Sequence, residues 1–133
     1  MFQVFAAVKA LIEHEGKYLA VVQKIGKESV YDLPGGGVRY DESPYETLKR
    51  EVKEEVALEV EILKPLGLWW FFRKTDENQV VCPVFLCKVL GGKVDITHNP
   101  SGLERVKKAG WLSKEEMLKN FPDESMKKIL KDL

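Results

Sequence analysis

Apolar positions dominate roughly residues 3–13 and 17–24, with a break at Glu15-Gly16, which predicts two strands joined by a tight turn. The following stretch, VYDLPGGGVRYDES (residues 30–43), has no apolar period and reads as a loop. From Ser43 the period becomes helical: Tyr45, Leu48, Val52 and Val56 recur at helical spacing and are expected to face the core. Ser43 and Glu46 form a capping box, and Pro44 takes the first helical position, where a missing N–H costs nothing. LEVEIL (58–63) alternates as a strand does; LGLWWFFR (66–73) and QVVCPVFLCKVL (79–90) read as long strands around a polar turn at 75–78. GGK at 91–93 makes another turn, and a further strand ends in KKAGWLS. A short helix is predicted from about Lys114, capped by Ser113, and a last one near 123–131. Many strands around one mid-chain helix predict an α+β protein, an α/β/α sandwich on a mixed sheet.

A chain of 133 residues suits one domain, 1–133, with a real core. Its 44% hydrophobic and 32% charged residues describe a soluble globular protein without bias towards disorder. Lys plus Arg and Asp plus Glu are both 21, so no basic field advertises a nucleic acid, and none is expected as a stable partner. Cys82 and Cys87 lie five apart, on opposite faces of a strand; they fit no zinc spacing and no mutual disulfide, and read as free thiols of a reducing compartment. The N-terminal MFQVFAAVKALIEHEGK lacks a basic n-region, and Lys9 interrupts its apolar run, so neither signal peptide nor membrane span is expected and the location is read as cytoplasmic.

The chemistry lies in REVKEE, residues 50–55. Glu51 stands one helical turn from both Glu54 and Glu55, so like charges repel on one face. They also sit near the negative end of the helix macrodipole, where acids are disfavoured. Positive charge from outside the helix is expected to offset this. Clustered hard oxygen donors suit Mg²⁺ or Mn²⁺, and a glycine-rich loop lets backbone approach a ligand closely. That combination suits attack of water on a phosphate or diphosphate.

From Gly36 to Leu58 the chain resembles the signature of the Nudix hydrolase family, G-x5-E-x7-R-E-U-x-E-E-x-G-U with U aliphatic, through Gly36, Glu42, Arg50, Glu51, Val52, Glu54, Glu55 and Leu58. Ala57 departs, standing where that family has a glycine that ends the helix. The resemblance implies the α/β/α fold and Mg²⁺, with Mn²⁺ as substitute. It implies Glu51, Glu54, Glu55 and the Gly35 carbonyl as metal ligands, Glu51 as base for the attacking water, Arg50 as orienter of the acids, and Glu42 as an outer or secondary metal group. A further acid from a later loop is expected, with Glu104 favoured over Asp95 and Asp76. The implied substrate is a nucleoside diphosphate linked to another group, foremost a nucleoside triphosphate cleaved to monophosphate and pyrophosphate. Hydrolysis of ADP-ribose or another nucleotide sugar, or nucleotide sensing without cleavage, are the alternatives. The assembly is expected to be a monomer or homodimer. The chain lacks the SQPWPFPxS-type motif of NADH pyrophosphatases, the proline about fifteen residues beyond the box found in many ADP-ribose hydrolases, and any tyrosine after Tyr45.

One strand carries a base-binding expectation. Leu68, Trp70 and Phe72 share one face and Trp69, Phe71 and Arg73 the other. Arg73 is hard to bury unpaired, so its face is expected to be open and to stack the nucleobase.

Overall fold

The computed structural model describes residues 1–25, 27–73, 76–97 and 106–133. Strands β1 (Val4–His14) and β2 (Lys17–Ile25) meet at Glu15-Gly16, whose φ angles of 51° and 78° are those of a tight hairpin turn. β3 (Glu28–Asp32) and β4 (Gly35–Gly37) follow, then helix α1 (Pro44–Val56) and strands β5 (Leu58–Phe72), β6 (Gln79–Gly92) and β7 (Val106–Leu112). Helices α2 (Lys114–Asn120) and α3 (Glu124–Lys131) complete the described elements. The mixed sheet runs β3-β2-β1-β6-β5, with β4 added to β1 and β7 to β2. β1 and β6 are parallel, whereas the other pairs are antiparallel.

β3 runs into the stretch expected to be a loop, and β4 lies inside it. β4 is three glycines, with no side-chain pattern to read; it exists because Gly35–Gly37 pair with Lys9–Ala7 of β1. The stretches 58–63 and 66–73 form one strand, with register irregularities at Glu59/Val60, Ile62/Lys64 and Pro65/Gly67. Pro65 suggests a break, but β5 is an edge strand with a bulge there, where a missing N–H is tolerated.

α1 packs on one side of the sheet. Leu48, Val52 and Val56 are fully buried against Val8, Ala10 and Ile12 of β1, and against Phe85 and Cys87 of β6. Each such side chain contributes about 1.5–3 kcal/mol by leaving water. Tyr45 departs from the expected stripe: it remains 54% exposed, its ring leaning on Phe85, while Thr47 is buried. On the other side, Met117, Phe121, Met126, Ile129 and Leu130 from α2, α3 and the segment between them cover Leu11, Val84 and Trp69. The result is an α/β/α arrangement. Cys82 and Cys87 are both free and buried, in different clusters, and burial pushes their thiols up to about 11 and 12. No helix among the described residues is long and apolar enough to cross a membrane.

The capping box at Ser43/Glu46 forms as expected, and α1 ends at Ala57 with φ 62°, ψ 27°, its N–H donating to the Lys53 carbonyl. A left-handed alanine carries strain that glycine does not. Ala57→Gly is therefore expected to stabilise the protein by about 1 kcal/mol, with activity retained. Chemical denaturation checks the sign, since glycine at a truly helical position destabilises by a similar amount.

Candidate active site

The site is built where α1 passes the β4 edge of the sheet. Glu42, Arg50, Glu51, Glu54 and Glu55 project from one side of α1 and the turn before it. Arg50 is their hub. Its Nε and Nη2 donate to the two oxygens of Glu42, both at 2.9 Å, and its Nη1 donates to Glu51 at 3.2 Å and Glu54 at 3.1 Å. The bidentate geometry is the strong form of such pairs. Glu42 also accepts from Thr47 Oγ1 at 3.1 Å, so its carboxylate is fixed from two sides. The hydrogen bond from Arg50, foremost, holds Glu42 below the usual carboxylate range, and Glu42 in turn holds the guanidinium above its ordinary value. The positive charge that offsets the acids thus comes in large part from within the helix, at Arg50.

The glycines have steric reasons. A Cβ on Gly36 would stand 2.6 Å from the Glu51 carboxyl carbon and 2.9 Å from each of its oxygens, so only glycine lets that carboxylate lie against the β4 backbone. Gly35, at φ 149°, would drive a Cβ into the Val8 carbonyl oxygen. Its N–H donates to Glu55 Oε1 at 3.1 Å. Burial pushes the Glu55 carboxyl up to about 7, against the pull of nearby Lys9 and that Gly35 hydrogen bond.

Lys9 brings a group that the sequence marks only as an interruption in an apolar run. It is 7% exposed, and its ammonium donates to Asp32 Oδ2 at 3.1 Å and to the Leu33 carbonyl at 3.4 Å. Gln23 Nε2 donates to the same Asp32 oxygen at 2.9 Å. Burial favours the neutral amine, but Asp32, foremost, and Glu55 outweigh it and raise Lys9 above its ordinary value. A cation within a buried apolar run was the available signal for this cluster, because such a charge needs partners.

The aromatic strand faces the opposite way from the expectation. Trp69 is 4% exposed: it packs edge-on against Phe121 and against Phe71, and its Nε1 donates to Asp123 at 2.9 Å. It offers no stacking surface. Leu68, Trp70 and Phe72 are the exposed set, at 53%, 46% and 60%. The alternation is as read; α3, absent from the strand's own pattern, decides which face is covered. Arg73 is not left unpaired, since it binds Asp76 at 2.7 Å and lies 4.7 Å above the Phe5 ring. Phe71 is half-buried beside Ala7, Val80 and Cys82, on the sheet face that carries Lys9.

Glu104 lies outside the described residues. Of the other acids considered, Asp76 is engaged by Arg73 and the Asn78 backbone, and Asp95 accepts from Thr97. Among the described residues no three His, Cys, Asp or Glu side chains converge on a single point for an ion. The donor chemistry nevertheless fits a hard cation: three carboxylates on one helix side, beside the strand that carries the Gly35 carbonyl, with no sulfur or imidazole among them.

The chain matches the NUDIX domain over residues 3–133. It belongs to the Nudix family. It is 32% identical over 89 residues to an ADP-ribose pyrophosphatase of Methanocaldococcus jannaschii, covering 66% of this chain and 53% of that protein. It is 30% identical over 107 residues to a MutT-like protein of Streptomyces ambofaciens, covering 80% of this chain and 62% of that protein. The chain thus spans less than two thirds of the length of either relative. Among solved structures, the MutT protein of Methanosarcina mazei Go1 superposes with a TM-score of 0.77 at 25% identity, over 98% of this chain and 93% of that one. The Nudix signature maps onto β4, α1 and the left-handed cap at Ala57, so the motif corresponds to one continuous structural unit.

Proposed function

We propose that the protein hydrolyses a nucleoside diphosphate linked to another group, with Mg²⁺ as cofactor and Mn²⁺ as substitute. The observation that carries this reading is the packing of the Glu51 carboxylate on Gly36 and of Glu55 on the Gly35 N–H, which sets both acids against one backbone edge. Glu51, Glu54, Glu55 and the Gly35 carbonyl would hold the cation, which when bound would neutralise charge on the phosphoryl oxygens. Glu51 takes the proton of the attacking water. Arg50 orients Glu51 and Glu54, Glu42 steadies Arg50, and Glu104 supplies a further oxygen. Phe71 and Arg73, on the sheet face of Lys9, contact the base; Trp69 supports Phe71 from within the core.

The favoured substrate is a nucleoside triphosphate, cleaved to monophosphate and pyrophosphate. The relative named for ADP-ribose supports a second reading, in which a nucleotide sugar is cleaved at the same linkage. A panel of nucleoside triphosphates, ADP-ribose and nucleotide sugars with Mg²⁺, products resolved by chromatography and ¹⁸O-water locating the attacked phosphorus, separates the two. Mg²⁺ is expected to raise the melting temperature, by the equivalent of about 2.7 kcal/mol at one hundred times its Kd, and EDTA to abolish turnover. Full turnover in metal-free buffer would overturn the reading, and tight binding without turnover would make the protein a sensor.

A further inference from the structure

The sheet face that α1 covers continues past the N-terminal end of that helix, and there no element among the described residues covers it. Val4 of β1 and Gln79 of β6 are register partners, as are Phe72 and Gln79, and Leu68 and Trp70 stand further along the same face of β5. Phe2, Val4, Leu68, Trp70 and Phe72 are exposed by 71%, 65%, 53%, 46% and 60%. Phe2, Val4, Phe72 and Gln79 line a shallow groove of about 490 Å³. This patch is not the acid-lined site: β4, which touches Glu51 and Glu55, and β5, which carries Trp70, lie on opposite sides of the β1–β6 pair.

We infer that this face binds a second copy of the chain, forming a two-fold homodimer. The three aromatic side chains, of roughly 150–250 Å² each, together with Val4 and Leu68 give at these exposures an apolar surface on the order of 550 Å². That is the upper end of what a monomer normally leaves open, and with a polar rim it approaches the roughly 800 Å² per partner of a standard interface. Its composition is that of an interface core, with aromatic and aliphatic groups and no charged side chain among the five. The chain has 21 basic and 21 acidic residues, so two copies meet without net repulsion, whereas an anionic membrane or nucleic acid would call for a basic rim. The groove is bordered here by Gln3, Glu77 and Gln79. Strand addition is disfavoured beside the patch, where the Trp70 N–H at the sheet edge is already taken by Ser125 Oγ of α3, at 3.3 Å. The sheets therefore pack face to face, by an isologous contact.

Sedimentation equilibrium of the whole chain from about 1 to 100 µM tests this. The wild type is expected at twice the chain mass of 15.2 kDa at the upper concentrations. Trp70→Arg and Phe72→Arg are each expected to run as monomers with unchanged circular dichroism, so misfolding of one leaves the other to report. Leu90→Arg, at an exposed position outside the patch, is expected to remain dimeric. A wild type that stays monomeric throughout would overturn the proposal. So would a dimer that persists in both patch variants. Because mass and not turnover is read, the outcome does not depend on the proposed activity.

Discussion

Glu51→Gln and Glu55→Gln are each expected to lower kcat by about 10²-fold or more, the scale of losing a positioned proton acceptor or a charged ligand at a phosphoryl-transfer site. The two variants differ in what they do to the metal-free fold. Glu51→Gln exchanges an ion pair with Arg50 at 3.2 Å for a neutral contact while easing repulsion along α1, so stability changes little. Glu55→Gln keeps an oxygen for the Gly35 N–H and removes a charge that burial disfavours. The sign with pH follows from the direction of the shift. Burial raises the Glu55 carboxyl from 4.5 to about 7, so the folded state binds its proton more tightly than the unfolded chain does. Glu55 then leaves folding unhindered below about pH 4.5 and opposes it increasingly as pH rises towards 7, a cost on the order of 3 kcal/mol at pH 8. In EDTA, Glu55→Gln should therefore be more stable than wild type at pH 8, and the difference should vanish by pH 4. Melting temperatures at the two pH values, with kcat measured separately in Mg²⁺, check both halves. Near-wild-type turnover in both variants would remove these acids from the chemistry.

Trp69→Ala is expected to destabilise by about 3–5 kcal/mol, because it empties a buried indole site between Phe71 and Phe121 and leaves the Asp123 carboxylate without its donor. Trp70→Ala, at a site 46% exposed, is expected to cost about 1 kcal/mol or less in the monomer. Urea denaturation of both variants at low protein concentration separates the two residues. Equal losses, or a larger one at Trp70, would mean that β5 presents its other face to α3. Trp69→Phe should recover part of the loss by refilling the site while leaving Asp123 unpaired.

The parts legible in the sequence are those governed by short-range rules. The α1 cap, its buried stripe of Leu48, Val52 and Val56, and the Ser113 cap of α2 follow from spacing within a single turn, and each is present. The left-handed turn at Ala57 is equally local: the C-terminal carbonyls of α1 need a donor, and the chain turns there to supply one whether or not the residue is glycine. The run of Arg50, Glu51, Glu54 and Glu55 is readable because three- and four-residue offsets (Arg50 to Glu54, Glu51 to Glu54 and Glu55) place side chains on one helix face without help from the rest of the fold.

Long-range contacts decided the rest. β4 has no side chains and becomes a strand only because β1 offers it a backbone edge. Trp69 and Trp70 are neighbours of the same type, and no property of their strand says which is buried; α3, more than fifty residues later, covers one and leaves the other open. Lys9 reads as a blemish in an apolar strand until Asp32, Gln23 and Glu55 are brought around it from three other elements. Periodicity specifies that a strand has two faces and a helix a stripe, because that follows from the local geometry of the backbone. Which face meets protein and which meets solvent depends on groups distant along the chain, and is settled only when the layers pack.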